Sequence, residues 1–355
     1  MNDIIITPEN TIYKYFIKYS RLSELMHYAF NGLNVDSINI YIDLYSIYHT
    51  IFSRSLRTNI TNYVSFTSMI INMCAHYRSF FKNLGVSTKI FIISSFNIPR
   101  DSIVLVPEYN YVMVDKLKNK LVGDMVDLNV SLLELLCPYL PDIFFIKTDY
   151  ESTVVMNEIM NRENPDQSII ISSDYYPTQL VALRPNVSYL FPLKGYNTDE
   201  SLVIPQNQHS QTFKDFWSVI ARKFQNSLSF ERIGSISPSN LMLLGALNRF
   251  PDRCFKTITN ITKTTRLISQ CYGFDSMKLT PQSLFDLIKP SEFKNIDQEL
   301  LVNRYKTLDI SYQSILYNQS IEFKTLHYEN LEDSNAINMI NNKYFANEPI
   351  DIFRL

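Results

Sequence analysis

The chain has 355 residues, 46% hydrophobic and 19% charged, which is enough apolar material for a packed core and excludes wholesale disorder. Its net charge is −2, so it is not a general polyanion binder, and any nucleic-acid role must use a local patch. It holds only 7 glycines, against roughly 25 at average usage; neither GxGxxG nor GxxxxGK(S/T) occurs, which removes the sequence basis for Rossmann dinucleotide binding and P-loop chemistry.

Residues 8–34 carry Ile12, Tyr13, Phe16, Tyr19, Leu22, Leu25, Met26 and Phe30 at helical spacing, with Thr7-Pro8 as a start signal and Asn31-Gly32 as a stop. The expectation is a leading helix whose aromatic face docks on the protein's own body or on a partner. The β-branched run Ser37–Asp43 predicts a strand ending in a carboxylate, followed at once by helical text from Leu44 to Phe52. A helix is predicted over about 63–84, closed by Gly85, then a buried strand over 88–93. A helical stretch across 107–139 precedes a strand at 143–146, and a helix over 151–162 precedes a strand at 168–171. A fifth strand is predicted over 187–191. Strands alternating with helices over 36–195 predict βαβ units and a mostly parallel sheet.

Beyond Pro205 the strand signal fades, and 211–230, 237–249, 262–272 and 280–289 read as short helices. The polar text over 196–210 is expected to be a linking loop. The domain reading is therefore a helical extension at 1–35, an α/β domain at 36–205 and a helical domain at 206–355.

Cys74, Cys137, Cys254 and Cys271 form no CxxC pair and have no histidine at zinc spacing, so they read as reduced, buried thiols. No basic segment followed by an apolar run opens the chain, and no stretch reaches about 18 uninterrupted apolar residues, so neither a signal peptide nor a membrane span is expected. The expected location is the host cytoplasm or a virion for a viral source.

In a parallel α/β sheet, chemistry gathers at the carboxyl ends of the strands. Asp43 and Asp174 each follow an apolar run, and Glu151 opens the helix after the strand at 143–146. Carboxylates clustered at such an edge suit divalent cations, which prefer oxygen ligands, and paired ions serve phosphodiester hydrolysis. The bland reading of each acid is a helix N-cap.

At these residues the sequence resembles the 5′-nuclease family, the flap endonucleases and phage-type 5′–3′ exonucleases. Ile169-Ile170-Ile171-Ser172-Ser173-Asp174, with Gln179-Leu180 beyond it, is similar to that family's "SSDxD…QL" strand end. Asn39-Ile40-Tyr41-Ile42-Asp43 resembles its first strand, and Thr148-Asp149-Tyr150-Glu151 stands where the family writes "EADD". Ser237-Pro238 through Ile268 resembles its DNA-gripping module. The resemblance runs in order over about 36–350. It implies a PIN-like α/β domain of mostly parallel sheet flanked by helices, with a helix–three-turn–helix-like segment over 237–270.

Carried over residue by residue, the resemblance implies retained metal-binding acids at Asp43, Glu151, Asp174 and Asp252. Elsewhere the family's acids are replaced: by serine at Ser94-Ser95, by Thr153 and Val154, by Tyr176 and by Arg249. An arginine at a metal site opposes cation binding. The family's Gly-rich hairpin is replaced by text containing Asn260 and Thr262. Even so, Arg249, Arg253, Lys256, Lys263 and Arg266 face a single acid, Asp252, within 249–266. Its sharp reading is phosphate contact and its bland one a solvated helical face. Lys116 and Lys120, interleaved with Tyr109 and Tyr111, lie where the family threads single strands, and stacking plus charge suits that role.

The expectation is a catalytically degenerate 5′-nuclease-like protein of a phage or virus. It would bind branched or single-stranded DNA or scaffold protein partners in a replication, transcription or virion assembly, with the helix 8–34 as one docking surface. The rival is a weak 5′ nuclease holding one Mg2+ through Asp43, Glu151 and Asp174.

Overall fold

A computed structural model describes residues 16–18, 35–48, 64–95, 105–107, 120–172, 174, 176–184, 186–192, 200–204, 245–246 and 297–317. In chain order the elements are β1 (Phe16–Lys18), β2 (Ser37–Asp43), α1 (Val64–Asn83), β3 (Ser87–Ser94), α2 (Lys120–Leu136), β4 (Ile143–Lys147), α3 (Ser152–Glu163), β5 (Gln167–Ile171), α4 (Thr178–Leu183), β6 (Val187–Pro192), β7 (Glu200–Ile204), α5 (Gln298–Leu308) and α6 (Ile310–Tyr317). Residues 44–48 are also helical. The chain divides into two compact units, one drawn from Met1–Leu22, Ile98–Val112 and Asp174–Ser320, the other from Ser23–Asn97, Met113–Ser173 and Ile321–Leu355.

In the second unit β2 pairs in parallel with both β3 and β5, and β3 pairs in parallel with β4. β2 and β5 are buried along nearly their whole length, the pattern of strands covered on both faces. Helix α1 packs on β3 and on α2, and α3 packs on β3 and β2. Tyr41, Phe91 and Phe144 stand in register across β2, β3 and β4 and stack with ring centroids 5.3 and 5.0 Å apart. At the amino edge one Asp166 carboxylate oxygen accepts from the Asp36 amide at 3.0 Å, the Ser37 amide at 2.9 Å and the Ser37 hydroxyl at 3.0 Å. That clamp fastens the start of β2 to the start of β5.

Helix α1 ends where the sequence places its stop. Gly85 has φ +77°, and the Gly85 and Val86 amides donate to the Lys82 and Phe81 carbonyls, both at 3.0 Å. These are the two bonds of a Schellman cap, which needs a left-handed residue. Burial pushes the Cys74 thiol up, and burial followed by the neighbouring Cys74 pushes Cys137 up. Both are free thiols.

In the first unit β6 pairs antiparallel with β7, and β7 pairs antiparallel with β1. Two expectations are corrected here. Residues 16–18, within the segment expected to be a helix over 8–34, are a strand set against 200–202. The run Tyr13-Lys14-Tyr15-Phe16-Ile17-Lys18-Tyr19 satisfies both a helical and an alternating period, and the strand partner decides between them. The loop expected over 196–210 contains β7, because Ser-Leu-Val-Ile supplies β-branched residues in an otherwise polar stretch. In the same unit, α4 packs on β6 and α5 on α6. The helices expected over 211–230, 237–249, 262–272 and 280–289 lie outside the described residues, apart from the helical pair 245–246. No helix among the described residues is long and apolar enough to cross a membrane.

Candidate functional site

The parallel register of β2, β3, β4 and β5 brings their carboxyl ends to one edge, occupied by Asp43, Ser94-Ser95, Thr148–Glu151 and Ser172. Asp43 is 1% exposed. Its Oδ2 accepts from the Ser172 hydroxyl at 2.9 Å, and its Oδ1 accepts from the Ser46 amide at 3.4 Å. The Ser46 hydroxyl returns a bond to the Asp43 carbonyl at 3.2 Å. Asp43 therefore caps the helical residues 44–48 and is held from β5's end by Ser172, which is itself fully buried.

At the neighbouring strand end, the Ser94 carbonyl accepts from the Thr148 amide at 3.0 Å. The Ser95 hydroxyl donates to the Tyr150 carbonyl, and the Tyr150 amide donates to the Thr148 hydroxyl at 3.1 Å. The serines that stand in place of an acid thus tie down the loop that carries Glu151. Glu151 is 2% exposed and forms the N-cap residue of α3. Its carbonyl accepts from the Val154 and Val155 amides, but its carboxylate makes no capping hydrogen bond. The N-cap reading thus describes the Asp43 side chain and not that of Glu151. Thr153 and Val154, in place of paired aspartates, are buried in the first turn of α3. Asp149, two residues before Glu151, is exposed.

In the other unit, Asp174 is 5% exposed. Its Oδ1 accepts from the Tyr176 amide at 3.3 Å, an Asx-type turn, and its carbonyl accepts from the Tyr189 hydroxyl. Tyr176, in place of a second aspartate, is buried and donates its hydroxyl to the Thr307 carbonyl at 3.4 Å. The Gln179 amide donates to the Leu308 carbonyl at 2.9 Å and accepts from the Ile310 amide at 3.2 Å. It thereby satisfies the last carbonyl of α5 and the first amide of α6, groups that helix ends leave open.

Among the described residues no three of His, Cys, Asp and Glu gather as a metal-holding group. Hard divalent ions need several oxygen ligands. In the unit that holds Asp43 and Glu151, the positions that the resemblance aligns with further acids carry Ser94, Ser95, Thr153 and Val154, a donor set poor in the anionic oxygens that a two-ion centre needs. Asp252, Arg249, Arg253, Lys256, Lys263, Arg266 and Lys116 lie outside the described residues, and Lys120 opens α2. Sequence reasoning missed Ser46, Tyr189 and the α5–α6 corner. Ser172 and Gln179 stood inside the quoted motif, but only the fold shows what they hold.

By sequence, no protein-family model and no curated protein matches the chain. By structure, it is similar to the 5′-exonuclease of T5 with bound zinc, at a TM-score of 0.50 and 12% identity over 78% of this chain and 90% of that one. It is also similar to a bacteriophage T5 flap endonuclease in complex with DNA and metal ions, at 0.50 and 12%, over 89% and 96%. Human GEN1 with Holliday junction DNA scores 0.41 at 9% identity, over 87% and 68%. At these identities the likeness is one of fold, and the chain has the PIN-like architecture of the 5′-nucleases, a mostly parallel sheet flanked by helices.

Proposed function

We propose that the chain is a catalytically degenerate 5′-nuclease-like protein that binds branched or single-stranded DNA through the basic segment 249–266. It would serve a phage or viral replication, transcription or virion assembly, in the host cytoplasm or the virion. The observation that carries this reading is the strand-end edge. There the Asp43 oxygens accept from Ser172 and Ser46, and the positions that the resemblance aligns with further acids hold Ser95, Thr153 and Val154. Two divalent ions need several anionic oxygens in near-ideal geometry, and in-line phosphodiester cleavage depends on them. An edge whose neighbouring positions carry hydroxyl and aliphatic side chains supports a reading without two-metal cleavage.

The test is a flap-DNA titration at two salt concentrations. If the five cations of 249–266 each neutralise a phosphate, affinity falls about 500-fold between 50 and 200 mM salt, from a slope near −0.9 per contact. Arg249→Ala and Lys256→Ala each flatten the slope. Binding that is absent or insensitive to salt removes the nucleic-acid role and leaves a scaffold for protein partners, with residues 8–34 as the first surface to test.

A further inference from the structure

Two hydrogen bonds fasten α1 to the segment that runs from α2 to β4. The buried Thr67 hydroxyl donates to Asn129 Oδ1 on α2 at 2.6 Å. Further along both segments, Arg78 Nη2 donates to Asp142 Oδ2 at 3.1 Å. The two contacts advance in the same sense, so α1 and α2 pack side by side in parallel. Cys74 and Cys137 lie between these contacts. Cys74 follows Thr67 by seven residues and Cys137 follows Asn129 by eight, about 10.5 and 12 Å of helical rise. The pair is therefore level to within about 1.5 Å along the helices. Both are fully buried free thiols, and Cys137 opens the 3-10 turn Cys137–Tyr139 at the end of α2.

Packed helix axes lie about 8–10 Å apart, and each Cα stands about 2.3 Å from its axis, so facing residues bring their Cα atoms to about 3.4–5.4 Å. A disulfide spans about 4.4–6.8 Å between Cα atoms. Burial keeps both sulfurs protonated, and Cys74 lies within electrostatic reach of Cys137. The thiolate is the species that exchanges disulfides. The closed fold thus shields the pair, and reaction requires α1 to lift from the end of α2.

We propose that Cys74 and Cys137 are a redox modification site, joined as an intrachain disulfide while α1 and the end of α2 are apart, so that the bond locks them together on closure. The oxidant is a low-molecular-weight disulfide. One cysteine thiolate attacks it, which forms a mixed disulfide and releases one small thiolate. The second cysteine thiolate attacks the protein sulfur of that mixed disulfide, which forms the Cys74–Cys137 bond and releases the other. Two electrons pass from the protein dithiol to the small disulfide, and the two thiol protons go to the released thiolates.

The test places the full chain in a buffer of oxidised and reduced glutathione, once folded and once during refolding from urea. Pairing is read by mass mapping of alkylated, unreduced peptides. The folded chain is expected to keep both thiols, and the refolded chain to carry the Cys74–Cys137 link as its major pairing. Freed of glutathione, the linked chain should unfold in urea with an equilibrium about 30- to 900-fold further toward the folded state than the reduced chain. Cys137→Ala should show no such gain after the same treatment. Refolded chain in which Cys74 and Cys137 stay thiols, carry only glutathione, or pair mainly with Cys254 or Cys271 overturns the proposal. So does a linked chain no more stable than the reduced one, or a folded chain that oxidises as fast as the refolding one. If Cys137→Ala fails to fold, the linked and reduced forms of the unaltered chain decide without it. If the chain does not refold, the same mapping is made in urea just below the unfolding midpoint, where oxidation should be faster than without urea; an equal rate overturns the proposal.

Discussion

Replacing Asp43 distinguishes a structural acid from one kept for a ligand. Asp43→Ala removes the acceptor of the buried Ser172 hydroxyl and of the Ser46 amide. An orphaned buried hydroxyl costs about 1–3 kcal/mol, and loss of an N-cap costs about 1 kcal/mol, less here because the Ser46 bond is long. The expected loss is therefore about 2–3 kcal/mol, or about 30- to 150-fold in the unfolding equilibrium. Asp43→Asn keeps an acceptor oxygen and the volume and should cost about 1 kcal/mol or less. Ser172→Ala leaves a buried carboxylate short of a donor. The double variant Asp43→Ala with Ser172→Ala should therefore cost less than the sum of its singles, because neither partner is left behind. Urea unfolding at pH 7, followed by far-UV circular dichroism and tyrosine fluorescence, measures all four. An Asp43→Ala protein as stable as the unaltered one, or more so, refutes the reasoning, since acids held for a ligand are kept at the expense of stability.

Three further outcomes follow from the fold. Gln179→Leu strands the Leu308 carbonyl and the Ile310 amide; thermal melts should show a loss of about 2–4 kcal/mol, and Gln179→Glu, which sets an oxygen against a carbonyl, should lose at least as much. The Ser37 hydroxyl, then the Ser37 and Asp36 amides, hold the Asp166 carboxyl below the usual range. Because the folded value is depressed, this contribution is fully present above about pH 4 and disappears as pH falls through the folded value; an acid titration of stability should be shallower in Asp166→Asn. At Gly85, φ is +77° and an added Cβ would meet nothing within 4 Å. Gly85→Ala should therefore cost only the backbone term of about 1–2 kcal/mol, and Gly85→Asn less, as read from urea midpoints.

The central strands were legible because burial on both faces leaves an unbroken apolar run between turn signals. Residues 169–171 are of that kind and 40–42 nearly repeat it beyond Asn39, and β2 and β5 lie where the sequence places them. β1 and β7 were not legible. β1 is a short antiparallel strand whose partner, β7, is remote in the chain, and β7 is a short strand within polar text, so pairing overrides a local pattern that fits more than one state. At the candidate site, Asp43, Glu151 and Asp174 stood out by position at strand and helix ends. What their neighbours do did not, because the Ser172–Asp43 bond joins residues 129 apart in sequence. Gln179 read as a motif letter until α5 and α6 supplied the carbonyl and amide it satisfies. Tyr176 read as a loss, and the Thr307 carbonyl shows what it holds.

Incubating the protein with 5′-flap DNA and Mg2+ or Mn2+, beside an Asp174→Ala control, tests most directly the claim that this nuclease fold binds without cutting. The account predicts no product above the level of the control, with flap DNA still bound in a salt-dependent way. Product formed by the unaltered protein and abolished by Asp174→Ala contradicts it.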